Sequence, residues 1–288
     1  MRSALIAKLF RRRVVLAGAV ILAVVALAAL LAPWIAPYDP MALKVLDRLQ
    51  SPRATHWFGT DELGRDVFSR VIFGARYSLL IGALVVVVSM VCGVLLGLAA
   101  GFFRRLDGPV MRLVDAMMSF PDILLAIALV AVLGASMTNV ILALAIVYTP
   151  RVARVVRAST LVVRELLYVE AVRALGARSM YVITRHVGPA VAPFVIPQLV
   201  RAVNMAILLE ASLSFLGLGD PGAKSWGMML HYAHARSAFL TDAWLWWVLP
   251  PGLCIATVVL GLALIGYALE ERARPRLRTF GTGMARHR

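Results

Sequence analysis

Four stretches of this chain contain no Asp, Glu, Lys or Arg and are long: residues 14–36, 77–101, 123–150 and 244–268. A helix needs about 20 apolar residues to cross a hydrocarbon layer roughly 30 Å thick, and each stretch meets that length. Of the 288 residues, 61% are apolar and 16% are charged, too greasy for a soluble domain. The net charge of +15 is therefore read as membrane topology and not as nucleic-acid binding. No zinc spacing, basic-aromatic patch or RNA-binding signature accompanies it. Cys92 and Cys254 both fall in apolar runs, as small core residues.

The fate of residues 123–150 decides the span count. They hold 28 uncharged residues, enough for one long helix or two shorter ones. Gly134-Ala135-Ser136-Met137-Thr138-Asn139 reads as a turn, giving helices at about 112–134 and 139–158. With two helices the chain has six spans. The segments on the side of both termini then carry 21 Lys/Arg and the opposite segments carry 8. With one helix, the seven arginines of 151–189 change sides, against the positive-inside tendency. The reading is an all-α polytopic protein with six transmembrane helices and both termini cytoplasmic. Residues 1–76 form a tail, a first span and an extracytoplasmic segment. Residues 77–270 form a five-helix core, and 271–288 a basic tail. A cleaved signal peptide competes for the first span, but the Ala26-Leu27-Ala28 site lies inside an apolar run too long for one.

The strongly basic stretch Glu170–Pro189, EAVRALGARSMYVITRHVGP, lies between spans. It reads as two short helices meeting at Gly176, which suits a left-handed helix end. Ser159 or Thr160 is expected to cap the first helix, with Leu166, Val169, Val172 and Leu175 as its apolar stripe. Ser179 is expected to cap the second, with Met180, Ile183 and Val187 on one face. Pro189 cannot donate to a helical ladder and marks the turn back into the membrane.

The order Glu170-Ala171, then Gly176, then Pro189 resembles the EAA loop of ABC importer permeases. The ending Arg185-His186 is similar to the peptide and nickel branch. Val172 stands where alanine is usual and Gly188 where leucine is usual. The resemblance implies that the loop, about 159–189, docks on a cytoplasmic ATPase. It assigns Glu170, Ala171, Arg173, Ala174, Gly176, Ala177, Met180, Ile183, His186 and Pro189 to coupling. Three other stretches resemble peptide-type permeases: 56–70, 210–219 and 224–227. In the first, Gly59 and Gly64 permit turns, and Asp61, Arg65 and Asp66 are expected to pair locally, with Thr60 among them. That reading is structural and carries no catalytic role.

The fifth span, about 190–216, is weakly apolar and carries Arg201, Asn204 and Glu210, with Ser212 and Ser214. Ionisable groups at membrane depth face a bundle interior or a watery path, so these five are candidate pathway residues. Glu210 stands open between a structural polar contact and a pathway role. Gly93, Gly97 and Gly101 make a small-residue stripe for close helix contact. Trp244, Trp246 and Trp247 suit the outer interface. Gly217–Ser225 nearly matches a phosphate loop, but Ala223 stands where glycine is required and no strand precedes it. The paired aspartates Asp39 and Asp220 sit at span ends, unsuited to a shared proton at membrane depth. His231 and His234 have no further ligands, so no metal site is expected.

The resemblance implies a permease subunit for di- or oligopeptides, in a bacterial cytoplasmic (inner) membrane, without catalytic residues or cofactors of its own. ATP and Mg would bind two partner ATPases. A second, homologous permease subunit and an extracytoplasmic binding protein complete the implied assembly, and no nucleic acid is involved. Nickel chelate or glutathione import, and proton-coupled transport through Glu210 or Asp115, stand as alternatives.

Overall fold

A computed structural model describes residues 2–273 of the chain, and the side chains of 13–267. Among the described residues the fold is helical, with only isolated β-bridges. The expected basic tail lies outside them from residue 274 onward.

The first helix, α1, runs Arg2–Leu30 and is followed by a single turn at Ala32–Ile35. The next, α2, runs Val67–Phe102, 36 residues or about 54 Å. It begins ten residues before the expected second span. Asp66 moves the boundary, because its carboxylate accepts from the Ser69 N–H and Ser69 hydroxyl, both at 2.7 Å, and caps the helix. Arg70 and Arg76 therefore lie on α2 and not in a preceding loop.

The third expected span, about 112–134, is broken. Helix α3, Arg104–Met118, is amphipathic, and α4, Asp122–Leu133, is apolar but only 12 residues long. Their axes differ by 95°. Pro121 restricts Phe120 away from helical geometry, and Pro121 itself is extended at ψ 133°. At about 18 Å, α4 alone is too short to span. Among the described residues, five helices are long and apolar enough to cross a membrane, or six if this bent pair counts as one.

The expected turn at 134–139 is present. Gly134 adopts φ +90°, and Ser136 caps α5, Met137–Arg164, by accepting from the Asn139 N–H at 3.2 Å. Helix α6 is the short Leu167–Ala174. Helix α7 starts at Ser179–Val182, passes through a π-helical turn at Ile183–Val187 and runs on as Gly188–Phe215. The chain therefore does not turn at Pro189. A wide turn precedes it, in which the Gly188 N–H donates to the Ile183 carbonyl, and the helix continues. A second π turn, Trp244–Val248, opens α9, whose α-helical part is Leu249–Ala273. Between them lies α8, Trp226–Ala235.

Helices α2, α5 and α7 form the main core, with Val85, Val152, Val156 and Leu213 fully buried. The glycine stripe sets the α2–α5 approach. A Cβ added at Gly97 would stand 2.6 Å from the Val156 Cβ, and one at Gly101 2.6 Å from the Thr160 Cβ. A second cluster joins α1, α8 and α9 around Trp226 and Trp247. The three tryptophans at 244–247 differ in burial. Trp247 is buried, Trp246 is half-buried and donates to the Thr60 carbonyl at 3.3 Å, and Trp244 is exposed.

Candidate functional site: the coupling loop and the bundle around it

Thr160 is buried inside α5, and its hydroxyl donates back to the Val156 carbonyl at 2.7 Å. Ser159 likewise donates to Val155 at 3.0 Å. Neither caps the loop helix, because α5 continues past them to Arg164. Leu166 occupies the N-cap of α6 without a side-chain bond, and Arg178 that of α7. Ser179 is already the first helical residue and makes no cap. The N-cap of α6 falls seven residues past Ser159 and six past Thr160, whereas that of α7 falls one residue before Ser179.

The C-terminal end of α6 follows the glycine signal. Gly176 has φ +83°, its N–H donates to the Arg173 carbonyl at 3.0 Å, and the Ala177 N–H reaches Val172 at 3.3 Å. This pair of reversed bonds is a Schellman motif. A Cβ at Gly176 would meet nothing within 4 Å, so its requirement is purely one of backbone conformation.

The apolar stripe expected on α6 is divided. Val169 is buried and Val172 half-buried, but Leu166 and Leu175 are exposed. At 100° per residue, Leu167, Tyr168, Ala171 and Leu175 fall within one face. Leu167 is 83% exposed and Leu175 87%. Val169 and Arg173 lie on the opposite face, toward the bundle, where the Arg173 guanidinium sits 5.5 Å from the Phe102 ring centre. On α7, Ile183 and Val187 are buried as expected, while Met180 is 71% exposed. The outward face thus adds Met180 and Tyr181 to Leu167 and Leu175.

Glu170 and Ala174 are exposed and border a small cleft with Arg164, Glu165 and Arg173. His186 stacks near Tyr181 and Tyr168, with ring centres 5.6 and 6.3 Å away, and so ties α7 to α6. Pro189 is exposed.

The sequence reading missed an arginine ladder on α5. Arg151, Arg154 and Arg157 lie three residues apart on one face. They pair with Asp122 at 2.5 Å, with Asp115 and with Asp107. The ladder clamps both arms of the bent α3–α4 pair to α5. Further along, Arg164 donates to the Gly101 carbonyl at 2.6 Å. The arginine spacing was readable, but partners 29 to 50 residues earlier were not.

In the fifth span, Glu210 is 1% exposed and faces the bundle. Its Oε1 accepts from Ser214 at 2.8 Å. Ser78 and Ser225 neighbour the carboxyl, but Oε2 has no partner in hydrogen-bond geometry. Ser212 donates to the Leu208 carbonyl at 2.8 Å. The Asn204 Oδ1 is buried without a partner, and Arg201 is exposed. The five residues are thus not brought to one surface. Glu210 and Ser214 form a buried pair, and Arg201 lies apart from it.

At the opposite end, residues 56–70 fold around Asp61. Its Oδ1 accepts from the Leu63 and Arg65 N–H groups, at 2.9 and 3.0 Å. Its Oδ2 accepts from the Arg65 Nε at 2.7 Å and the Arg70 Nη1 at 3.0 Å. Asp66 pairs with His56 at 2.9 Å and not with Arg65. Burial, reinforced by the Asp61 charge, raises the Glu62 carboxyl above the usual carboxylate range. Gly59 and Gly64 adopt φ +65° and +73°, each with a neighbouring backbone carbonyl where a side chain would stand.

Residues 89–279 match the family described as binding-protein-dependent transport system inner membrane component. The chain belongs to that family. Residues 3–52 of this permease also match the N-terminal TM domain of oligopeptide transport permease C. A putative peptide transport system permease protein of Brucella suis is 46% identical, over 95% of this permease and 92% of the relative. A di/tripeptide transport system permease protein of Pseudomonas aeruginosa is 42% identical, over 91% and 88%. A glutathione transport system permease protein of Pectobacterium atrosepticum is 39% identical, over 92% and 87%. The fold is that of a subunit in the inward-facing MetNI methionine ABC transporter. There the TM-score is 0.55 at 18% identity, over 71% of this permease and 95% of that chain.

Proposed function

We propose that this permease forms half of the translocation pathway of an ATP-driven importer of di- or oligopeptides in a bacterial cytoplasmic membrane. Its partners are a second homologous permease, two ATPases that bind ATP and Mg, and an extracytoplasmic binding protein. The observation that carries this is the outward apolar face of α6 and the start of α7, Leu167, Leu175, Met180 and Tyr181, standing free at the arginine-rich end of the bundle. The relatives named for peptide transport supply the substrate class.

The 21 to 8 charge split supports a cytoplasmic position for that end and for both termini. Glu170, Ala171, Arg173, Ala174, Gly176, Ala177, Met180, Ile183, His186 and Pro189 then belong to the element that receives force from an ATPase. Arg173, Ile183 and His186 act from the inward side, by fixing the loop to the bundle. ATP-driven closure of the ATPases differs in energy between two permease conformations, and that difference is what shifts access from one side to the other. Glu210 and Ser214 couple α7 to its neighbours, while Arg201, Asn204 and Ser212 are nearer the path. The folded segment around Asp61, with Gly59, Thr60, Gly64, Arg65 and Asp66, gives the extracytoplasmic partner a rigid surface.

The test is uptake of a labelled dipeptide by proteoliposomes holding the full complex and its binding protein, with ATP inside. Uptake that requires ATP and is competed by peptides supports the reading. Uptake competed by glutathione but not by dipeptides would replace the substrate. Uptake driven by a proton gradient without ATP would overturn the importer class.

A further inference from the structure

A cavity of about 720 Å³ opens where α2 ends, α3 begins and α5 meets α6. Arg104, Arg105, Arg164 and Arg173 line it, with Glu165 as the single carboxylate among them. Four guanidinium groups against one carboxylate leave +3 on its walls. The Glu165 charge is answered within the wall by Arg164, whose Nε donates to it at 2.9 Å. Arg164 is further held by the Gly101 carbonyl. Arg104, Arg105 and Arg173 enter no ion pair among the described residues, and the Phe102 ring lies beside the Arg173 guanidinium. Three guanidinium groups therefore share one concavity without an ion-pair partner among the described residues.

Phe102 is both the last residue of a 36-residue apolar helix and part of the cavity wall. The uncharged run of α2 stops at Phe103 and Arg104 follows, so the opening lies at the charged border of an apolar run, the position expected of a headgroup region. Guanidinium groups bind phosphate with paired, directional hydrogen bonds, and basic pockets at this depth suit anionic headgroups. The start of α3 adds to this, since Phe103 leaves its first N–H groups without a side-chain cap. Arg173 reaches the cavity from the face of α6 opposite Leu167 and Leu175, so an occupant would not compete with a partner on the outward face.

We propose that this cavity binds a phosphate ester, and that the headgroup of an anionic glycerophospholipid is its source. The consequence is that a lipid phosphate would bridge α3 to the loop helix α6, joining the bent helix to the coupling element.

The experiment uses the full-length chain in its complex, purified in detergent and stripped of lipid. Bound lipid is counted by native mass spectrometry after titration with phosphatidylglycerol or phosphatidylcholine. In a parallel arm, inorganic phosphate is titrated instead. Arg104→Gln with Arg105→Gln should weaken phosphatidylglycerol retention by roughly tenfold or more. The matched pair Arg112→Gln with Arg185→Gln, equal in charge but outside the cavity, should leave it unchanged. Arg173→Lys keeps the charge and the fold, and should weaken retention by loss of the fork alone. Dependence of inorganic phosphate binding on Arg104 and Arg105, without phosphatidylglycerol enrichment, would keep the phosphate site and reject the lipid source. Equal loss in the cavity pair and the matched pair, or no loss in either, overturns the proposal.

Discussion

Gly97 of α2 and Val156 of α5 approach so closely that a methyl group on the glycine would stand 2.6 Å from the valine Cβ. The same spacing recurs one turn on, where Gly101 faces Thr160. Two long helices thus meet along a seam where one contributes only backbone, the arrangement that small residues permit between membrane helices. Gly97→Leu should force the seam apart and cost about 1–3 kcal/mol, the range for overfilling a packed interior. Thermal denaturation of the purified complex in detergent should show a lower midpoint for Gly97→Leu than for Leu95→Ala, whose side chain is exposed.

Asp61 holds Arg65 and Arg70 while itself fully buried. Removing its charge leaves two guanidinium groups without a shared acceptor. Asp61→Asn should therefore cost about 3–5 kcal/mol, the range for breaking a buried ion pair by removing one partner. Limited proteolysis of residues 37–66 should become faster, with the rest of the helical bundle unaffected. Unchanged proteolysis would mean that the segment is held by other contacts.

The arginine ladder of α5 predicts a rescue. Asp107→Arg should loosen α3, and Arg157→Asp in addition should restore it. Both side chains are partly exposed, so the coupling in a double-mutant cycle should be modest, about 0.5–1 kcal/mol. Raising the salt concentration should reduce it further.

The spans were legible because charge is excluded from hydrocarbon, and the glycine seam because three small residues repeat at one helical face. Gly176 was legible because φ +83° is a conformation that side chains disfavour. The bend at Pro121 was not, since residues 112–134 have the composition of one span whether straight or broken. Nor was the continuity through Pro189. A proline reads as a stop, and only the π turn at Ile183–Val187 shows how the helix absorbs it. The partners of Arg151, Arg154 and Arg157 lie beyond the reach of local pattern. The cap at Ser159 failed because α5 runs on past it and its hydroxyl bonds back to that helix, and the cap at Ser179 because α7 begins one residue early, at Ser179 itself.

Gly176 separates a backbone requirement from a contact requirement. Nothing lies within 4 Å of its absent side chain, so Gly176→Asn, which tolerates the left-handed region, should keep coupling. Gly176→Val should cost about 1 kcal/mol or more of loop geometry. The readout is substrate-stimulated ATP hydrolysis in the reconstituted complex, which should follow glycine, then asparagine, then valine in decreasing order.

The outward face of α6 is the proposed seat of an ATPase. Leu167→Glu with Leu175→Glu places two charges on that face while leaving Val169 and Arg173, the inward contacts, untouched. The measurement is co-purification of the ATPase with the permease from the membrane, alongside the yield of inserted permease. Normal insertion with loss of the ATPase is the expected result. Full retention of the ATPase together with unchanged substrate-stimulated hydrolysis would contradict it.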